Sequence, residues 1–310
     1  MKTEKSMHLL YKCCWIAFSV VLILVLDSCG INNPRDLEPS GPITRSIDEL
    51  FWITVALMSI IIIPVFSMTA SFIWKYRASN SKASYAPDLD SPAWLEWVIW
   101  LFPALIVLIL TIMTWIYTHR LDPYKPLESA NPPLVIQVIA LDWKWLFIYP
   151  EQNIAVVNEL TLPVNRPIAF KITSNTVMNS FFIPRLGGQI YAMAGMETQL
   201  NLIADKPGRY FGENIQYSGQ GFPYQNFKTI ATTQQDFDIW LMKARQSAIK
   251  LDPVHFNELA KPSVSHPVVY YGSVSPDLFK LVIDQFIGGQ KSLSTTHLID
   301  NIPGVTRNVR

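Results

Sequence analysis

The 310-residue sequence has three cysteines, Cys13, Cys14 and Cys29, and none after them. Its five histidines are His8, His119, His255, His266 and His297, so residues 120–254 hold neither Cys nor His. That absence excludes a disulfide framework, a thiolate metal site and a histidine-based nucleophile triad from the middle of the chain. An excess of one charge is also lacking. Lys and Arg number 25 against 24 Asp and Glu, and the formal net charge of +1 gives no electrostatic basis for binding nucleic acid. No phosphate-cradling Gly-rich motif appears, and the GGQ triplets at 187–189 and 288–290 read as turns. With 13 Gly and 22 Pro the chain is not of low complexity, and no internal repeat is visible.

Apolar and aromatic residues are plentiful. Half the chain is hydrophobic, with 10 Trp, 12 Tyr and 16 Phe, which suits membrane interfaces and packed β-structure. Residues 1–28 carry Lys2, Lys5 and Lys12 ahead of WIAFSVVLILVL, a basic region and a short apolar run that read as a signal peptide. The run ends in LDSCG, which resembles a bacterial lipobox and makes Cys29 the expected site of cleavage and lipidation. The alternative is an ordinary Cys with cleavage elsewhere. A lipid-anchored segment at 29–49 would follow.

Residues 50–73 and 97–118 contain no charge, and each is long enough to span a hydrocarbon core of roughly 30 Å. Pro64 and Pro103 sit inside them and predict kinks. Trp52, Trp74, Trp94, Trp97 and Trp115 gather near their ends as an aromatic belt. The loop 74–96 carries Lys75, Arg77 and Lys82, so the positive-inside rule puts it in the cytoplasm and places the rest of the chain outside the inner membrane.

From 124 to 233 the pattern changes to short β-branched and aromatic runs, LVIQVIA, WKWLFIY, IAFKIT, TQLNLIA and FKTIATT, with turns such as PVNRP and DKPGR. This predicts a β-sandwich or barrel. Residues 234–310 form a helical extension and tail. QDFDIWLMKARQ places Phe237, Trp240, Leu241 and Ala244 on one helical face. SPDLFKLVIDQF offers Ser275 as a cap, Pro276 in the first turn, and a face of Leu278, Leu281, Val282 and Phe286.

The order of Cys29, helix hairpin, DWKW, SNTVMNSFFIPRLGGQIYAMAG, KPGRYFGENIQYSGQGF and a terminal PDLF helix closely resembles subunit II of bacterial cytochrome bo-type ubiquinol oxidases, in the haem–copper oxidase superfamily. The similarity covers essentially the whole chain. It implies an all-β cupredoxin-like sandwich behind a membrane α-helical hairpin, with short C-terminal helices. Copper-bearing relatives, the cytochrome c oxidase subunits II, hold a two-copper electron-entry site in that sandwich. Aligned on Phe227, the ligand positions here are Asn179, Tyr217, Gly219, Gly221, Gln225 and Lys228. A soft copper site needs thiolate and imidazole ligands, which these side chains cannot supply. Met178, Met193 and Met196 without His make a poor cupric site, and Met more often fills cores and interfaces.

The resemblance therefore implies a non-catalytic subunit of a proton-pumping ubiquinol oxidase, with haems and copper in a large partner subunit I and no metal bound by this chain. Ubiquinol would be the substrate of the complex, and membrane lipid a further partner. The pattern around Glu96 is that of an acid at a helix N-terminus, though edge acids also serve proton paths. The resemblance assigns Glu96 to the mouth of a proton-uptake channel. Trp143 and Trp145 match an aromatic segment that passes electrons on from copper, and without copper their expected job is packing. Asp142, Arg185 and Lys228 are candidates for pairing with a partner or are solvated surface. Two other readings stay open: a different haem–copper oxidase subunit II, and a free-standing membrane lipoprotein acting in oxidase assembly or metal delivery.

Overall fold

The computed structural model describes residues 38–80, 93–127, 129 and 131–287. The expected signal peptide, Cys29, most of the 74–96 loop and the tail after 287 lie outside the described residues. Two long helices come first, α1 (Pro42–Lys75) and α2 (Ala93–Arg120), both long and apolar enough to cross a membrane. Each runs on through its internal proline, Pro64 or Pro103. Several of their hydroxyls bond back to the preceding turn. Thr54, Ser59 and Thr69 donate to the carbonyls of Leu50, Val55 and Val65 at 2.7–2.8 Å. Large apolar side chains point outward, Trp100 at 77% exposure and Phe66 at 71%, a surface that requires lipid or protein around it.

Helix α1 opens at Pro42, ahead of the apolar run that begins at residue 50. Gly41 is its N-cap and Pro42 sets the first helical φ without an amide hydrogen to leave unpaired. The residues just before it are strapped onto the β-domain. Ser40 is fully buried; its N–H donates to Arg185 O at 2.9 Å and its carbonyl accepts from Asp205 N at 2.9 Å. A Cβ on Gly41 would stand 2.5 Å from Ile203 O, so only glycine passes there. The Glu38 carboxylate bonds Lys206 at 2.9 Å and Arg185 at 3.2 Å, and Arg45 pairs with Asp205. After α2 the chain is tied down again, where both the N–H and Nδ2 of Asn201 donate to Pro123 O at 3.1 and 3.0 Å.

The β-domain is built from β1 (Leu134–Leu141), β2 (Lys144–Tyr149), β3 (Ile154–Val157), β4 (Glu159–Pro163), β5 (Ile168–Ser174), β6 (Asn179–Phe181), β7 (Ile190–Ala192), β8 (Thr198–Leu202), β9 (Gly208–Glu213) and β10 (Asn226–Thr232). It is completed by α3 (Gln234–Arg245), β11 (Lys250–Leu251), α4 (Pro253–Leu259), β12 (Val269–Tyr271), β13 (Ser273–Val274) and α5 (Leu278–Ile287). A six-stranded sheet of order β12-β3-β2-β1-β5-β8 faces a three-stranded sheet of order β4-β10-β9. Both contain one parallel pair, β1 with β5 and β4 with β10. Between them lies an aromatic core in which Phe181 stacks on Phe227 at 5.3 Å and Trp145 meets Phe181 edge-on at 5.5 Å. The Phe227 ring occupies the space a side chain on Gly212 would need, 2.1 Å from an ideal Cβ.

Strand β2 is buried at every position, because both faces of its sheet are covered. One face carries Trp145, Phe147 and Tyr149 into the sandwich core. The other carries Leu146 and Ile148 against Phe256, Leu259, Leu278, Phe279 and Val282 of the C-terminal extension. Lys144 is buried at this second interface, where its ammonium donates to Lys261 O at 2.7 Å and to Ser263 Oγ. Burial pushes its pKa down, partly offset by the charge of Asp142.

The expected face of α3 is present: Phe237 and Ala244 are buried, with Trp240 and Leu241 packed on the core. The α5 reading needs correction. Ser275 does not cap the helix and Pro276 is not in its first turn. Both lie in a preceding turn where Asp277 adopts φ 61°, and the helix begins at Leu278. Leu281 faces outward at 51% exposure, and Phe279 takes its place in the packed face.

Candidate functional site

Strands β6, β9 and β10 converge at the end of the sandwich remote from α1. Residue 179 opens β6, residue 213 closes β9 and residue 226 opens β10, so the loops between them meet. Asn179, Asn214 and Gln225 are buried there, at 0%, 4% and 1% exposure. Asn214 is the hub. Its Oδ1 accepts from Ser180 N at 2.8 Å, Gln216 N at 3.0 Å and Ser180 Oγ at 3.2 Å. Its Nδ2 donates to Asn179 Oδ1 at 2.8 Å and Gln225 Oε1 at 2.9 Å, with Ser218 Oγ at 3.2 Å.

The network has one polarity. The Ser180 N–H can only donate, which fixes Oδ1 of Asn214 toward it and Nδ2 toward the other two amides. At the far ends, Asn179 Nδ2 donates to Val177 O at 2.8 Å and Gln225 Nε2 to Leu141 O at 3.3 Å, both groups that can only accept. Every amide is therefore oriented from both sides. Ser218 Oγ donates to Gln225 Oε1 at 2.8 Å, and Asn179 Nδ2 donates to Ser174 Oγ at 3.3 Å.

Beside this network lies Trp143, held at φ 63° in the tight turn between β1 and β2. Its indole N–H donates to Ser218 O at 3.0 Å, and the ring lies against the 219–221 segment. A Cβ on Gly221 would stand 2.2 Å from the ring, and Gly219 has φ 106°, so each position requires glycine for its own reason. Trp145, two residues on, is in the core, with its Nε1 donating to Gln225 O at 3.4 Å.

The structure thus brings Asn179 and Gln225 together through Asn214, and seats Gly219 and Gly221 beneath Trp143. It does not bring in Tyr217, which is 72% exposed, nor Lys228, which is exposed on β10. Met178 and Met196 are exposed beside the site at 41% and 52%. Asp142 accepts a bond from Thr176 Oγ1, and Arg185 belongs to the strap rather than the site. Glu96 is exposed in the first turn of α2. Asn214 escaped the sequence reading, since a lone Asn after a strand carries no pattern of its own.

Among the described residues no three His, Cys, Asp or Glu side chains gather to hold a metal. The donors at this site are amides and hydroxyls already bonded to one another. They do not fit a copper centre, which takes thiolate and imidazole.

Two family models match the chain. The periplasmic domain of cytochrome c oxidase subunit II matches residues 149–232, and the COX aromatic rich motif matches residues 245–290. With the first match, the two-sheet sandwich has the cupredoxin-like architecture expected of it. The chain is 47% identical to cytochrome bo(3) ubiquinol oxidase subunit 2 of Pseudomonas putida, over 90% of this chain and 91% of that protein. It is 48% identical to ubiquinol oxidase subunit 2 of Acetobacter aceti, over 86% of each. The periplasmic domain of subunit II of cytochrome oxidase from Bradyrhizobium japonicum superposes with a TM-score of 0.37 at 20% identity, over 39% of this chain and 98% of that one.

Proposed function

The chain belongs to the subunit 2 family of the ubiquinol oxidases, haem–copper oxidoreductases of the respiratory chain, and from that premise we propose that it serves its complex without a catalytic centre of its own. The complex oxidises ubiquinol and reduces oxygen to water while moving protons outward. Haems and copper sit in the large subunit. This chain braces that subunit with α1 and α2, which cross the bacterial inner membrane, and caps it with the sandwich on the periplasmic side. Cys29 carries lipid, and Glu96 stands at the entrance of a proton-uptake channel.

The observation that supports this reading most directly is the bonding of Asn179 and Gln225 to Asn214. Two positions that the resemblance aligns with copper ligands hold amides whose hydrogen-bonding capacity is spent on each other and on backbone. Electrons cannot be relayed by such groups, so the donor delivers them elsewhere, as a lipid-soluble quinol within the bilayer does. The exposed apolar surfaces of α1 and α2 supply the area for a large membrane partner.

The test is purification of the intact complex in mild detergent. The expected result is co-purification with haem, oxidation of ubiquinol, inertness toward reduced cytochrome c, and no copper assignable to residues 124–233. Stoichiometric binuclear copper in that domain, or efficient turnover with cytochrome c, would overturn the proposal.

A further inference from the structure

Where α2 ends, the chain makes a small cavity of about 220 Å³ that no part of the proposed function uses. Its apolar wall is Ile43 from the start of α1 with Leu121 and Leu127 from the segment after α2. Its polar wall is Arg120, Asp122 and Lys125. Arg120 and Lys125 are exposed and have no ion-pair partner among the described residues. Asp122 uses one carboxylate oxygen, Oδ1, to accept the N–H of Tyr124 at 2.9 Å. Its carbonyl accepts from Lys125 N at 3.0 Å, a turn that brings Lys125 back beside the helix end. The second carboxylate oxygen has no partner among the described residues.

The level of this cavity matters. Helix α2 has 28 residues and a length of about 42 Å, against a hydrocarbon core of roughly 30 Å and about 40–45 Å with the headgroup layers. Trp115, at 68% exposure, stands just before its end as an interfacial aromatic does. Arg120 is the last helical residue, so it meets the depth at which lipid phosphates lie. Cations there reach for phosphate, while apolar stems and neighbours stay with the acyl chains.

We propose that this cavity is a phospholipid headgroup site selective for a zwitterionic amine-bearing lipid of the phosphatidylethanolamine class. The phosphate lies between Arg120 and Lys125, the primary ammonium donates to the free oxygen of Asp122, and the glycerol end rests on Ile43, Leu121 and Leu127. Two cations and one carboxylate on the same small cavity match a headgroup with one phosphate and one ammonium. An anionic lipid leaves the carboxylate opposed, and a choline lipid offers it no N–H. The inference rests on the reading that α2 crosses the bilayer.

The full-length chain in nanodiscs of defined composition, analysed by native mass spectrometry, tests it. The wild type retains phosphatidylethanolamine ahead of phosphatidylcholine. The double variant Arg120→Gln with Lys125→Gln lowers retention about thirty-fold, as expected for removing two interfacial cations. Asp122→Asn abolishes the preference for ethanolamine over choline headgroups while phosphatidylglycerol binding holds or improves, and Arg120→Lys keeps the lipid. Unchanged retention in the double variant would refute the site. So would indifference to headgroup, or displacement of the lipid by millimolar inorganic phosphate, which would mark a free-anion site. Because the chain is measured alone, failure to assemble with an oxidase leaves this readout intact and bears only on the proposed function.

Discussion

Nδ2 of Asn214 donates to Oδ1 of Asn179 at 2.8 Å, joining the loop before β10 to the first residue of β6 across a fully buried contact. Both amides are locked by backbone groups at their other ends, so the pair has a single orientation. An Asn214→Asp substitution keeps the shape and removes both donors. It places a carboxylate against the oxygens of Asn179 and Gln225. A buried charge with unpaired acceptors around it costs about 3 kcal/mol or more. Thermal or chemical denaturation of the full chain should show this loss, and it should shrink as pH falls and the new carboxyl protonates.

Gly219 and Gly221 should respond differently to the same change. At Gly221 the backbone is ordinary, with φ −85°, and the obstacle is the Trp143 ring at 2.2 Å. Gly221→Ala therefore displaces the indole, at about 2 kcal/mol for overpacking, and breaks its bond to Ser218 O. Gly219→Ala has ordinary contact distance to the ring, 3.4 Å, but a φ of 106° that an L-residue resists. It should destabilise without moving Trp143, which a fluorescence spectrum of each variant will distinguish.

The strap at Glu38 predicts a pH dependence. The hydrogen bond from Lys206, then the charges of Lys206 and Arg185, hold the Glu38 carboxyl below its usual pKa of 4.5. A depressed carboxyl contributes stability that is present above the ordinary value and is lost as pH falls through the lowered one. Protection factors of the amides in residues 38–45, taken relative to intrinsic exchange at each pH, should thus be higher at neutral pH and fall as the pH drops through the lowered Glu38 value. Glu38→Gln should remove that acid transition and leave the residues protected to a similar, lower degree throughout.

Glu96 carries a functional prediction that rests on the proposed proton path. Glu96→Ala should leave haem content and assembly unchanged while slowing oxygen reduction by the purified complex. Normal turnover in an assembled variant would return Glu96 to the role of a first-turn acid favoured by the helix dipole.

Much of this architecture is legible in the sequence because it depends on period and composition. The uncharged runs at 50–73 and 97–118 lie within α1 and α2, LVIQVIA and IAFKIT fall in β1 and β5, and FKTIATT falls in β10 save Thr233, which caps α3. Boundaries were less legible. Gly41-Pro42 carries a helix-start signal, yet the charged residues after it hide the first turns of α1. In α5 the sequence pattern favoured Leu281, whereas packing against β2 selects Phe279, a choice set by the sheet and not by helical spacing. At the candidate site, ligand chemistry could be dismissed from residue types alone. What replaced it could not be read, because Asn214 meets Asn179 only after β6, β9 and β10 have closed a sequence separation of 35 residues.

The strap at Ser40 and the tie at Asn201 give the chain a stiff shoulder: the segment before α1 and the segment after α2 are both hydrogen-bonded to the sandwich. If α1 and α2 cross the bilayer as proposed, a tilt of the hairpin in a thicker or thinner membrane is transmitted to the sandwich, with the largest displacement at the end farthest from the pivot. That end carries Asn179, Asn214 and Gln225, so under that proposal bilayer thickness becomes a lever on how the sandwich is presented.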